Sequence, residues 1–474
     1  MKIKKSIKLF IILISFALVT TIHAIPPPTG VPIIAQRENA ELGKKLMQEL
    51  RQHAIIVDDP IIQNYIQTLG QRLLSHTESS LKKFHFFILQ DSSINAFAMP
   101  GGYIGINSGL LLSTRTESEL AAVLAHEIAH ITQHHLERLL EQVDNINIPA
   151  TAALMATLLL GASSGSASTA NAATGAAMAV MAGSTQHLLN FTRSNEAEAD
   201  RIGMKTLYNA GFDPEAMPNF FEQMERANIE YGNQLPPYLL THPVTGTRIA
   251  DSRGKAELYP KKNFTSSLAY SLIKVRIQVL MIREKYRALS VFKSLSTRSD
   301  AERYGYALAA FLDRKVELAK ENIDILLKKN SDIIYQLLLA QILSVHNLPG
   351  SLSLLQQQLT IHATYYPLII QYASTLIDNN QAQPAEDFLN QFSATYSDDL
   401  MFLHLLSQAQ AKNKNLAEAY ITRAKMYEIQ GYFKQALILL QQALKLPKID
   451  ITTKNLINKK ISYLKMEIQS CKTC

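Results

Sequence analysis

Leu120-Ala-Ala-Val-Leu-Ala-His126-Glu-Ile-Ala-His130-Ile131 is the stretch on which the reading turns. Its apolar residues predict a buried helix, and on a helix positions i and i+4 share one face about one turn apart. Both imidazoles can therefore reach one metal ion, while Glu127 points aside, where it can take a proton from water rather than bind the metal. His-Glu-x-x-His is short enough to recur by chance, and a pair of surface histidines is the alternative. The apolar surroundings argue against it, because a charged glutamate buried beside two histidines needs a reason. Just upstream, Thr116 can cap the helix and Glu119 complete a capping box, with the helix running to about Gln142. His134 and His135 follow the motif at a spacing that suits a solvated face better than a second metal.

Downstream, Arg193-Ser-Asn-Glu196-Ala-Glu198-Ala-Asp200-Arg-Ile-Gly203 reads as a second helix. Glu196 can complete a His₂Glu zinc set with His126 and His130, leaving a fourth position for water. Asp200, one turn on, can accept the far N–H of a ligating histidine. His242, in Leu239-Leu-Thr-His-Pro-Val-Thr-Gly-Thr-Arg248, has two readings: a fourth ligand that latches the site, or a hydrogen-bonded loop histidine. Arg248 either stabilises an oxyanion or fixes a loop. Upstream, Lys83–Gln90 alternates as a strand does, and Asn95-Ala-Phe-Ala-Met-Pro-Gly-Gly-Tyr-Ile-Gly-Ile-Asn107 reads as glycine-punctuated extended chain. Gly101, Gly102, Tyr103 and Ile104 are the expected edge strand to which an extended substrate adds.

In these three motifs and their order the chain resembles the CAAX-protease and HtpX-type zinc peptidases, and within them the periplasmic β-barrel assembly-enhancing branch with a tetratricopeptide domain. The resemblance covers nearly the whole mature chain. It implies one zinc ion held by His126, His130 and Glu196, with Glu127 as catalytic base. Glu198 rivals Glu196 by chemistry alone, and the family's spacing to Asp200 favours Glu196. The resemblance also implies a zinc endopeptidase that degrades misfolded or stalled exported proteins and assists outer-membrane β-barrel assembly. Its clients would be unfolded outer-membrane proteins, and the assembly machinery would be met through the repeats. A chaperone or scaffold with a latched zinc site is the competing class. The membrane helices of the HtpX-type branch are absent here, so its integral-membrane topology does not carry over.

The rest of the chain divides around this centre. With 474 residues, 47% of them hydrophobic and 18% charged, more than one folded domain is expected. Residues 1–24 read as a signal peptide, with lysines ahead of the apolar run Leu9–Val19, and an uncleaved N-terminal anchor is the rival reading. Either implies export, and the resemblance implies the periplasm as the destination. Removing the four lysines of that segment, which holds no acid, takes the formal charge from +7 to +3, and this argues against a nucleic-acid partner. Pro26-Pro27-Pro28 then starts the mature chain as an extended tether. Residues 25–265 are expected to form an α+β zincin-type metalloprotease domain, mainly helical with a small sheet. Residues 266–474 are expected to form an all-α tetratricopeptide-like repeat domain. Its best-formed unit is Tyr420–Leu444, with small residues at Ala424, Ala436 and Ala443 and a turn at Gly431, and looser copies lie near Ala319 and Ala385. Asn145–Thr192 carries no Asp, Glu, Lys or Arg. It reads as a flap beside the site, an element in peripheral contact with a membrane, or a buried helical pair. Cys471 and Cys474, in the terminal Cys-Lys-Thr-Cys, read as a small local disulfide or two idle thiols rather than as a redox-active pair, which normally sits at a helix N-terminus.

Overall fold

The computed structural model describes residues 33–79, 83–141, 185–231, 236–447 and 449–470. The expectations for residues 1–24, the Pro26–Pro28 tether, Asn145–Thr192 up to residue 184, and the two cysteines lie outside them. Contacts group the chain into Met1–Asn39 and Ala40–Cys474, and the description below concerns the second unit. Among the described residues no helix is long and apolar enough to cross a membrane.

The chain ahead of the sheet forms two helices, α1 (Ile33–His53) and α2 (Pro60–Leu74). Pro60 explains the break. A residue before proline is pushed to extended backbone, and Asp59 adopts it (φ −129°, ψ 118°), its carboxylate accepting from the Ile61 and Ile62 amides as an N-cap. Leu42, Leu46, Leu50, Ile62, Ile66, Leu69 and Leu73, spaced at three and four residues within each helix, are all buried.

Strands β1 (His85–Leu89), β2 (Ala96–Met99) and β3 (Tyr103–Asn107) form one sheet in the order β1-β3-β2. β1 runs parallel and β2 antiparallel to β3. This corrects the expected edge strand. Tyr103 and Ile104 lie in the central strand, paired on both sides, while Gly101 and Gly102 form the turn that folds β2 back onto it. Both glycines have left-handed φ (77° and 84°), and a Cβ on Gly102 would stand 2.5 Å from the Lys83 carbonyl oxygen. Pro-Gly-Gly is a turn signal, and taking the whole stretch as one extended run overlooked it.

Helix α3 (Ser108–Ser113) leads to α4 (Glu117–Thr132), which carries His126 and His130. Thr116 caps α4, its hydroxyl accepting from the Glu119 amide. The capping box is displaced by one residue, since the Glu119 carboxylate accepts from the Arg115 amide. α4 ends ten residues before the expected Gln142. His134 takes φ 56°, and α5 (His135–Glu141) sets off in a new direction. The half of the chain that carries this helix is completed by α6 (Thr185–Asn209), α7 (Ala216–Tyr231), α8 (Pro237–Thr241) and α9 (Gly246–Ala256).

Every element from α10 (Leu268–Met281) onward is helical. Arg314, Asn380, Lys414 and Gly431, each with left-handed φ, mark turns between successive antiparallel helices, and Asn347 marks another. Arg314, Asn347, Asn380 and Lys414 follow one another at 33, 33 and 34 residues. That is the tetratricopeptide period. The expected unit is the pair α11 (Leu416–Ile429) and α12 (Phe433–Ala443), turning at Gly431, which stands 17 residues past Lys414, half a period out of step with that series. Ala319, Ala385, Ala424, Ala436 and Ala443 are buried where helices approach closely. One hydrophobic cluster runs from Ile61 through Ile249 and Ile273 to Leu368. The residues on either side of position 265 therefore share a core.

Candidate metal centre

Helix α4 crosses α6 at Gly203, whose missing side chain lets the two backbones meet. A Cβ there would lie 3.1 Å from both the Ala125 carbonyl oxygen and the His126 nitrogen. That approach brings Glu196, seven residues and about two turns earlier on α6, against the histidine face of α4. His242 enters from the end of α8.

His126, His130, Glu196 and His242 each offer one donor atom, all within 4.8 Å of one another. The Nε2 atoms of His126 and His130 are 3.0 Å apart. They lie 3.4 and 3.3 Å from the two Glu196 oxygens. His242 Nδ1 is 3.3 Å from His126 Nε2 and 3.0 Å from Glu196 Oε1. Ligands at about 2.0–2.1 Å from a tetrahedral metal stand about 3.3–3.4 Å apart. Three imidazole nitrogens and a carboxylate at this spacing fit a transition-metal ion. Glu198, the rival third ligand, points elsewhere, to His135 and Arg138.

Glu127 is 1% exposed, and its Oε1 has no hydrogen bond among the described residues. His242 Nε2 lies 3.4 Å from that oxygen. A buried carboxylate left open in this way fits a group that meets water or substrate. Asp200 Oδ1 is 3.0 Å from His126 Nδ1. Arg248 grips Asp200 with Nε at 2.7 Å and Nη2 at 2.8 Å, and its Nη1 reaches Glu196 Oε2 at 2.8 Å. Arg248 also donates to the Pro243 carbonyl and stacks over Phe221. It is therefore tied to the carboxylates and to the His242 loop together.

Burial opposes ionisation of Asp200, and Arg248 and His126 outweigh it, so its pKa falls. Glu196 is likewise held well below its ordinary value, burial being outweighed by His242, His126 and His130. Without a metal, burial lowers the His126 pKa, but the hydrogen bonds its ring donates to the Asp200 and Glu196 carboxylates outweigh that and raise it to about 9. His130 lacks a direct carboxylate behind it, and burial pushes it down to about 3.

The expectation of a solvated face fails for His135, and Tyr238 carries no signal in the sequence. His135 is buried rather than on a solvated face, because the left-handed residue His134 turns the chain back toward His130. Tyr238 is fully buried, with its ring 4.9 Å from that of His242. No residue spacing signals either contact.

Two helices whose side chains converge so that they could hold a metal ion, beside an open buried carboxylate, are the arrangement of a metallopeptidase, and residues 60–256 match the model of Peptidase family M48. A relative in Vibrio cholerae is 34% identical over 415 residues, 86% of this chain and 84% of that protein. The beta-barrel assembly-enhancing protease of Escherichia coli K12 is 32% identical over 412 residues, 86% of this chain and 83% of that one. The mitochondrial metalloendopeptidase OMA1 of Schizosaccharomyces pombe is 31% identical over 193 residues, 39% of this chain and 50% of that protein. The chain belongs to the β-barrel assembly-enhancing proteases of peptidase family M48.

Proposed function

We propose that this metalloprotease is a zinc-dependent endopeptidase of the periplasm. In this reading it degrades misfolded or stalled exported proteins and assists outer-membrane β-barrel assembly, holding clients or assembly partners on its helical repeats. The observation that carries the reading is the convergence of His126, His130, Glu196 and His242 on one point, with Glu127 open beside it. The relatives' names support the assembly role.

Zinc, when bound, supplies Lewis acidity that makes water nucleophilic near neutral pH. His126, His130 and Glu196 hold the ion. Asp200 fixes the His126 ring, and Arg248 fixes Asp200. Glu127 takes the proton of the attacking water and passes it to the leaving nitrogen. Substrate adds along β2, the strand packed against α4. The Asn107 amide donates to the Asn95 carbonyl directly opposite, so alternate residues Ala96 and Ala98 turn their backbone groups to the outer edge. Capture through main-chain groups suits unfolded clients.

The test is casein cleavage with the bound metal counted. Chelation should abolish activity, and one equivalent of zinc should restore it. Full activity of the metal-free protein would overturn the reading.

A second reading rests on His242. Its Nδ1 lies among the donor atoms, where water would otherwise enter. In that state the repeats act as a scaffold and proteolysis waits on displacement of the ring. His242→Ala is expected to raise basal casein cleavage several-fold at unchanged zinc content. Unchanged or lower cleavage would dismiss the latch.

A further inference from the structure

The two histidines of the α4 motif are supported differently. His126 has a carboxylate directly behind it, with Asp200 Oδ1 3.0 Å from its Nδ1. Behind His130 stands another imidazole. His135 Nδ1 is 2.8 Å from His130 Nδ1, with the ring planes at 82°. His135 Nε2 in turn lies 3.2 Å from Glu198 Oε2. Arg138 donates to that same oxygen at 2.7 Å, and to Asn195 Oδ1 at 3.3 Å.

We propose that His135 is a positioning residue that, with Glu198 and Arg138, fixes the ring and tautomer of His130. The inference rests on the reading of His130 as a metal ligand through Nε2. A lone pair given to metal at Nε2 leaves the proton on Nδ1, and the atom facing Nδ1 must then accept. His135 Nδ1 is therefore unprotonated and its Nε2 carries the proton, which it donates to Glu198. The chain runs from carboxylate to imidazole to imidazole to metal, with each proton assigned. Both ligand histidines are thus backed by an acid from α6, one directly and one through an inserted ring.

The backbone shows why the ring can reach. Five residues along an unbroken helix turn through about 500°, which leaves the two side chains about 140° apart. His134 breaks the helix with φ 56°, and His135 swings back behind His130 at 4% exposure. Asn195, Glu196, Glu198 and Asp200 then serve distinct purposes on one helix: Asn195 and Glu198 anchor α5, Glu196 meets the histidine nitrogens, and Asp200 backs His126. A partner that orients a ligand in this way commonly changes metal affinity 10- to 100-fold when removed.

The experiment measures zinc affinity by competition with a chromophoric chelator, and the absorption spectrum of the cobalt-substituted protein, on the full chain. His135→Phe keeps the ring volume and removes the acceptor; it is expected to weaken zinc binding about 10- to 100-fold and to alter the cobalt spectrum. His135→Gln offers an oxygen to His130 and an amide to Glu198, and is expected to recover most of the loss. Glu198→Ala, on a side chain 28% exposed, reads the outer link where His135→Phe fails to fold, with about a tenfold loss expected. Wild-type affinity and spectrum in His135→Phe, or in Glu198→Ala if the former does not fold, would overturn the inference. A glutamine variant as weak as the phenylalanine one would also overturn it, showing the histidine to be packing alone. Absence of stoichiometric zinc in the wild type would instead sink the reading of the site itself, and the inference with it.

Discussion

Glu127→Gln is expected to lower peptide hydrolysis by about 10²- to 10⁴-fold, the range for loss of a positioned acid–base group, while leaving zinc content unchanged. The carboxylate is buried, open at Oε1, and one residue from His126 without sharing its face of α4. Glutamine keeps the size and loses the basicity, so binding and fold should survive. The measurement is casein cleavage with metal counted, made both in the wild-type background and with His242→Ala. His242 Nε2 lies 3.4 Å from Glu127 Oε1, so the latch and the base would otherwise be read together. If Glu127→Gln cleaves as fast as its parent in both backgrounds, Glu127 is not the base.

The metal helix was legible from sequence because its information is local. Position i to i+4 on one apolar helix determines which side chains share a face, and Thr116 announces its start. Glu196 was legible only with the second helix and its spacing to Asp200; chemistry alone left Glu198 open. The repeats were legible through small residues and the glycine at 431, and the 33- to 34-residue turn spacing sharpens that reading. What failed to show was long-range or carried by unusual backbone. The alternation in Lys83–Gln90 signals a strand but not its neighbour, so the central place of β3 could not be read from it. His134 takes a left-handed φ without glycine's freedom to announce it, and His135 reaches its place through that single turn.

Asp59→Ala is expected to destabilise the fold by about 3–5 kcal/mol, the cost of leaving one member of a buried ion pair alone. Asp59 has two tasks: it caps α2 through the Ile61 and Ile62 amides, and it holds Arg276 of α10 with Oδ1 at 2.9 Å and Oδ2 at 2.7 Å. Arg276 is 5% exposed and also donates to the Tyr304 hydroxyl at 2.6 Å. Without Asp59 its charge has, among the described residues, only that neutral partner. Arg276→Met should cost much less, because Asp59 keeps both amides and the thioether fills the space. The double variant should therefore be more stable than Asp59→Ala alone, a coupling that separate effects would not produce. Midpoints of urea unfolding followed by circular dichroism give the ordering. An Asp59→Ala protein as stable as the double variant would mean that Arg276 finds water. The functional consequence follows from where the pair lies. α2 packs against the metal helix α4, and α10 opens the run of repeats. The pair spans 217 residues of chain to join them inside the core shared by both halves. Weakening it should loosen the repeats from the catalytic half before either half melts, and protease nicking near the α9–α10 link would register that loosening first.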